Sequence, residues 1–373
     1  MVGGLRCPPT TVRKPRRKDV SVPLFAELET PAVLIDLGRV EANLRKAQTH
    51  ATANGYALRP HIKTHKLPRF AQRQIELGAV GITAQKLGEA ETMADAGITD
   101  IFVPYNIVGP IKLKRLAALN KRVKLSVTAD SPDTVSGYAA MVVEHRTPLT
   151  VLIECDTGGG RCGVQSPAQA LALARQIAMS PGLVFGGLMT YPAMRKFAEA
   201  DRWLADTRAM LEEAGFSVPR ITAGNSPDMW HTGDSAVTER RPGTYIYFDR
   251  AQVAFGAASF DDCALTVLAT VVSRPTATRV VIDAGSKSLS SDLMGQTGHG
   301  AVLGQEQVIV TALSEEHGVI ELPEASDTPR VGDRLRIIPN HVCVVSNLFD
   351  VVHLIGPDGG LETVPVAARG RVD

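Results

Sequence analysis

From residue 30 onward, short β-branched runs alternate with stretches whose apolar positions recur near helical spacing. Ala32, Val33, Leu34, Ile35 and Asp36 predict a strand, and residues 38–51 predict a helix with Val40, Leu44 and Ala47 on one face. The alternation continues as strands over 57–62, 80–84, 100–103, 123–127, 150–154, 183–190 and 220–223, and 245–247 closes the series. Helices are predicted up to residue 73 and over 86–96, 110–119, 166–179 and 197–214. Such alternation builds βαβ units and a parallel sheet. Roughly eight or nine strands in about 220 residues is the size of a (β/α)8 barrel of the TIM type. An open doubly wound sheet is the alternative, but no GxGxxG opens the first unit.

The rhythm changes after about residue 255, where strands over 265–272, 279–282, 307–310, 319–322, 334–338 and 351–355 follow one another without helices. The expected organisation is an α/β barrel over 29–255 and an all-β domain over 256–373. Residues 1–28 form a basic tail and an N-terminal segment of the β domain.

Composition narrows the function classes. The 373 residues are 44% hydrophobic and 21% charged, which suits a folded chain. Forty Lys+Arg against 39 Asp+Glu leave a formal charge of +1, giving no global footprint for nucleic acid or an anionic membrane. No run of 18 apolar residues exists to span a bilayer. Cys7, Cys155, Cys162, Cys263 and Cys343 are odd in number and scattered, which argues against a disulfide framework and points to a reducing, cytoplasmic setting. The first 18 residues carry six Arg or Lys and no acid, as a targeting or anion-binding arm or a plain basic tail would.

Candidate chemistry concentrates at predicted strand ends, where a barrel keeps its catalytic groups. The densest segment is Arg59, Pro60, His61, Ile62, Lys63, Thr64, His65, Lys66. Burial of a lysine in that layer favours the neutral amine that Schiff-base chemistry requires; a solvated basic loop is the plain alternative. Two small-residue turns, 222–226 with Gly224 and Asn225, and 242–245 with Gly243, Thr244 and Tyr245, suit an anion held by backbone N–H groups. The stretch 156–163 reads as a mobile loop delivering Arg161. His341 and Cys343, two apart in an extended segment, face one side and suit a borderline-soft ion such as Zn2+ with positions left open.

Together these residues resemble the fold-type III pyridoxal-phosphate enzymes, specifically the D-threonine aldolase and D-serine dehydratase family, from about residue 29 to the C-terminus. The signature RPHxKxHK stands at 59–66, and 85–90, 160–163, 283–288 and 316–318 look like family segments. The resemblance implies an alanine-racemase-like barrel plus β domain, a homodimer, pyridoxal 5'-phosphate on Lys63, and a divalent metal on His341 and Cys343. It places the phosphate against Gly224, Asn225, Gly243 and Thr244, and the ring or its substituents near Gln85, Arg161 and Tyr191.

Two outcomes on a small β-hydroxy-D-amino acid then diverge. In a dehydratase, Lys63 removes the α-proton, the hydroxyl departs, and a 2-oxo acid and ammonia result. In an aldolase, a base such as His61 takes the hydroxyl proton and Cα–Cβ breaks, giving glycine and an aldehyde. Aldolase-type members tend to read H-x-D at the metal pair, with Mn2+ or Mg2+ as the harder ion. This chain reads H-V-C, which favours Zn2+ and C–O cleavage. D-Serine, D-threonine and 3-hydroxy-D-aspartate remain open as substrates. A racemase needs a second base, and the absence of tyrosine from 265–373 counts against one; a non-catalytic carrier would be the barrel alone. His317 is a candidate neighbour of the metal, whereas Trp203, Trp230, Cys155, Cys162 and Cys263 read as packing residues.

Overall fold

A computed structural model describes residues 25–373; the cationic run of the first 18 residues, and Cys7 with it, lie outside the described residues. Eight parallel strands form one sheet: β2 (Ala57–Leu58), β3 (Ile82–Thr83), β4 (Asp100–Val103), β5 (Lys124–Ala129), β6 (Leu149–Cys155), β7 (Leu183–Thr190), β8 (Ile221–Ala223) and β9 (Glu239–Arg240). Their order is β2-β9-β8-β7-β6-β5-β4-β3. The ends meet where Val80 N–H donates to Leu58 O (2.9 Å) and Thr83 N–H to Pro60 O (2.8 Å), closing a barrel. Helix α1 (Leu37–Ala53) precedes β2, helices α2 (Pro68–Glu76), α3 (Leu87–Asp95), α4 (Pro110–Asn120), α5 (Pro132–His145), α6 (Pro167–Met179) and α7 (Phe197–Glu213) lie along the chain between these strands, and α8 (Arg250–Ala254) follows β9.

The second sheet has nine strands in the order β11-β14-β13-β12-β15-β10-β1-β16-β17. Its members are β1 (Ala32–Asp36), β10 (Leu265–Ser273), β11 (Arg279–Ile282), β12 (Gly300–Val302), β13 (Gln305–Leu313), β14 (Gly318–Glu321), β15 (Arg334–Pro339), β16 (Val351–Ile355) and β17 (Leu361–Pro365). Two short helices interrupt it, α9 (Ser286–Leu289) and α10 (Val342–Leu348). A parallel barrel plus a separate, largely antiparallel β domain is the expected architecture.

Three local expectations change. The strand at 32–36 does not open the barrel: it runs antiparallel to β10 and parallel to β16 in the β domain. Residues 245–247 are no strand: Tyr245 and Ile246 lie in a 3-10 turn (Thr244–Ile246) that Tyr247 caps, and the barrel closes instead on the short, polar β9. Helix α5 went unread despite Ser131 accepting from Thr134 N–H, Pro132 in the first turn, and Val135, Tyr138, Met141 and Val142 buried at helical spacing.

Two large apolar clusters result, one inside the barrel and its helices, the other joining α1 to the β domain. Tyr245, Ile246, Tyr247 and Phe248 belong to the second and are at most 1% exposed. At about 1.5–3 kcal/mol per buried side chain they form a stiff seam. Asn43 of α1 ties it by donating to Ile246 O (3.2 Å) and Asp262 O (2.8 Å). This seam fixes the start of α8, which matters for the site.

Candidate active site

The strand ends converge on a cavity of about 490 Å3 whose lining includes Lys63, Glu154, Arg161, Tyr191, Asn225, Thr244, Gln252, His341 and Cys343. A smaller adjoining recess is lined by His61, Lys63, Gln85, Arg161, Tyr191, Gly224, Asn225, Arg241, Gly243 and Thr244. Every proposed site residue except Tyr245 therefore borders one continuous space. The Tyr245 hydroxyl instead accepts from Gln74 Nε2 of α2 (3.0 Å), and burial pushes its ionisation up. An aromatic beside a Pro-Gly turn sits equally well in a seam as in a site, and here the seam holds it.

Lys63 lies in a 3-10 turn (Ile62–Thr64) just past β2. It is only partly buried, and among the described residues its Nζ has no hydrogen-bond or ion-pair partner. His61 caps that turn, its Nδ1 accepting from Lys63 N–H (3.3 Å) while Nε2 donates to Gln85 Oε1 (3.0 Å). Both ring nitrogens are thus engaged. Burial, with the cations of Lys63 and Arg241 nearby, drives His61 toward the neutral imidazole. Gln85 is held from behind: Glu89 of α3 accepts its N–H (2.8 Å) and pairs with Lys66 Nζ (2.8 Å), both side chains buried. His65 packs against Phe70, accepts from Leu67 N–H (3.0 Å), and is pulled down to about 3 by burial. Arg59 is not a site residue, since Glu239 (2.8 Å) and Asp100 (2.5 Å) hold it within the protein.

The phosphate-type turns meet face to face. A Cβ on Gly224 would sit 2.8 Å from Arg241 N, so only glycine permits this approach. Thr244 N–H donates to Ser226 Oγ (3.1 Å), and Asn225 is engaged by its own turn, donating to Asp228 Oδ2 (2.7 Å). A concave wall of small residues and backbone amides, beside an unpaired lysine, fits pyridoxal phosphate. Arg241, unread in the sequence, also borders it; its guanidinium donates to Thr222 Oγ1 (2.9 Å) and Thr190 O (2.6 Å), and burial lowers it to about 10.

The glycine stretch after β6 is more constrained than a mobile loop. Asp156 Oδ1 accepts from the N–H groups of Gly158 (2.9 Å), Gly159 (2.8 Å) and Gly160 (3.1 Å). It presents Arg161 over the Tyr191 ring at 5.0 Å. Glu154, buried in the floor 3.8 Å from Arg161, has its carboxyl raised by desolvation against the pull of that cation.

His341 and Cys343 do share the cavity, but not as neighbours in an extended strand. His341 caps α10, and Cys343 lies in that helix's first turn. Asp249 Oδ2 takes His341 Nδ1 (3.2 Å), leaving Nε2 as the ring's other ligating atom, the usual carboxylate support of a metal-bound imidazole. Burial opposes charge on His341, yet Cys343 and Asp249 lift it to about 11. Burial would also raise the Cys343 thiol, but His341, Lys63 and the Thr64 hydroxyl (3.1 Å) bring it below its ordinary value. A thiolate and an oriented imidazole fit a borderline-soft divalent ion in an open site. No group of three His, Cys, Asp or Glu forms a closed cage among the described residues. His317 is exposed and does not line the cavity, whereas Cys162, expected to be a packing residue, is exposed on the loop with Arg161 and does line it.

Comparison with known proteins accords with this geometry. The chain matches the alanine racemase N-terminal domain over residues 35–251 and a serine dehydratase domain over 264–355. It is 36% identical to a D-threonine aldolase of Arthrobacter sp over 93% of this chain and 94% of that one. The chain belongs to the alanine-racemase-like family of D-threonine aldolases and D-serine dehydratases. Among solved structures, this family member is similar to D-threonine aldolase from Filomicrobium marinum, with a TM-score of 0.85, 32% identity, and 94% and 98% of the two chains covered. It is also similar to D-threo-3-hydroxyaspartate dehydratase from Delftia sp. HT23, with a TM-score of 0.83, 31% identity, and 91% and 97% covered. A cysteine-to-alanine variant of a D-threo-3-hydroxyaspartate dehydratase was solved in a metal-free form. Among the described residues no helix is long and apolar enough to cross a membrane.

Proposed function

We propose that this protein is a pyridoxal-phosphate- and metal-dependent lyase of β-hydroxy-D-amino acids, working as a dehydratase that yields a 2-oxo acid and ammonia. The observation that carries this reading is the His341–Cys343 pair, its thiol biased toward thiolate, opening on the cavity that holds the unpartnered Lys63. Lys63 would hold the aldehyde end of the cofactor, and its Nζ would serve as the base for the proton at the substrate's Cα. Gly224, Gly243 and Thr244 would hold the phosphate end, and Arg161, over Tyr191 and near Glu154, would serve the ring or its substituents. Pyridoxal phosphate supplies the electron sink for charge developing at Cα, and a divalent ion on His341 and Cys343 supplies Lewis acidity toward the β-oxygen.

His61 favours C–O over C–C cleavage. Aldol cleavage needs a base for the hydroxyl proton, and His61 has both nitrogens engaged. A D-threonine aldolase remains the second reading, supported by the 36% identity to the Arthrobacter enzyme. A homodimer is part of the proposal, checked by sedimentation. The test is α-deuterated D-threonine. Deuteration slows turnover if Lys63 breaks the Cα–H bond during dehydration, and an aldolase that leaves this bond intact would show no primary effect.

A further inference from the structure

We propose that Gln252 positions the hydroxyl-bearing ligand at the metal side of the cavity, its carboxamide oxygen accepting the O–H of a bound water or of the substrate's β-hydroxyl. The proposal rests on the lyase reading above and adds a residue to it.

Gln252 is 3% exposed, its side chain lines the cavity with His341, Cys343 and Lys63, and its Oε1 has no hydrogen-bond partner. A buried carbonyl oxygen without a donor is destabilising, so such an atom calls for a partner supplied on binding. The Tyr247 hydroxyl is also buried and unpartnered, but it does not line the cavity. Gln252 is distinguished by combining an orphan oxygen with a place in the site wall.

Its backbone is tied to the metal pair. Asp249, fully buried, accepts from Gln252 N–H through Oδ1 (2.9 Å) and from Val342 N–H through Oδ2 (3.1 Å), the same oxygen that meets His341 Nδ1. One carboxylate therefore fixes the imidazole and the turn bearing Gln252 together. The missing partner is a donor, which excludes the substrate's carboxylate. Lys63 is committed to the cofactor in the loaded protein. An O–H at the metal side answers the requirement, and replacing water by the β-hydroxyl on binding keeps the oxygen satisfied.

The test uses holoprotein loaded with pyridoxal phosphate and Co2+, rapidly mixed with D-serine or with D-alanine, which lacks the hydroxyl. The initial change in cofactor absorbance gives each apparent affinity. Gln252→Leu is expected to lose about tenfold in the preference for D-serine over D-alanine. Gln252→Glu, which keeps an acceptor oxygen, should retain that preference. Co2+ affinity, read by its visible absorption against a competing chelator, should fall about tenfold or more in Gln252→Leu. An unchanged D-serine to D-alanine ratio in Gln252→Leu would overturn the proposal. If neither amino acid perturbs the wild-type spectrum the lyase reading fails, and unchanged Co2+ affinity would then overturn the role of Gln252 separately.

Discussion

Replacing Glu89 with Leu isolates the support behind the lysine loop. Glu89 Oε1 lies 2.8 Å from Lys66 Nζ, and the two side chains are 3% and 6% exposed. Its Oε2 accepts from the N–H groups of Gln85 (2.8 Å) and Lys86 (3.3 Å), closing the first turn of α3. Removing one partner of a buried pair costs about 3–5 kcal/mol, because the remaining ammonium is stranded. Two lost acceptors add about 1 kcal/mol each. The single variant should thus lose about 5–7 kcal/mol, a large share of the roughly 5–15 kcal/mol available to a folded domain. Substituting Lys66→Met as well removes the stranded charge and should recover about 3 kcal/mol, since an apolar pair replaces a buried ion pair at little cost. Urea denaturation followed by circular dichroism measures both. Cofactor titration should show weaker binding in the double variant, because Gln85 has lost its anchor while Lys63 is intact. A Glu89→Leu loss below about 1 kcal/mol, or a double variant no more stable than the single, would refute the reasoning.

Three further outcomes follow from the same geometry. His65, pulled down to about 3 by burial, binds a proton more readily unfolded than folded, so stability falls as pH drops from about 6.5 toward 3, by up to about 1.4 kcal/mol per unit. His65→Asn, able to accept from Leu67 N–H, should flatten that slope in urea midpoints measured at pH 7 and pH 5. Asp249→Asn removes the anionic partner of His341 Nδ1 and should weaken metal affinity by about 10–100-fold in chelator competition, with pyridoxal-phosphate binding largely kept. Gly224→Ala would place a Cβ 2.8 Å from Arg241 N and should weaken cofactor retention on gel filtration, whereas Gly137→Ala in α5, whose Cβ would make only an ordinary 3.6 Å contact with Leu113 and lies outside both parts of the cavity, should not.

Periodicity carried the architecture because most barrel strands are apolar runs and most helices have one greasy face. It failed where burial is polar. β9 is Glu239 and Arg240, whose charges are satisfied inside the protein by Arg59 and by the carbonyls of Met229 and His231, so no hydrophobic signal marks it. The apolar run just beyond it, Tyr245 to Phe248, took its place in the reading, although those residues serve the seam with α1 and the β domain. The first strand was misplaced for a different reason: an apolar pentapeptide does not say which sheet it joins. At the site, Lys63, Gln85, Arg161 and the two small-residue turns were legible as motifs and His341 with Cys343 as a pair, whereas Tyr191 was placed by the family resemblance alone. The supports were not. Asp249 follows the D-x-x-Q spacing of an ordinary helix cap, Gln252 resembles a surface glutamine, and Arg241 resembles a solvated cation before a turn, until burial shows otherwise. Spacing put His341 and Cys343 on one side for a wrong reason, since a helix start and not an extended strand brings the two side chains to one cavity.

The central claim is that Lys63 and the His341–Cys343 pair form one lyase site that expels the β-hydroxyl. Its most direct test is product analysis with D-threonine on protein reconstituted with pyridoxal phosphate and Zn2+, with Lys63→Ala as control. The account predicts 2-oxobutyrate and ammonia in equal amounts, abolished in the control. Glycine and acetaldehyde would contradict it and make the enzyme an aldolase.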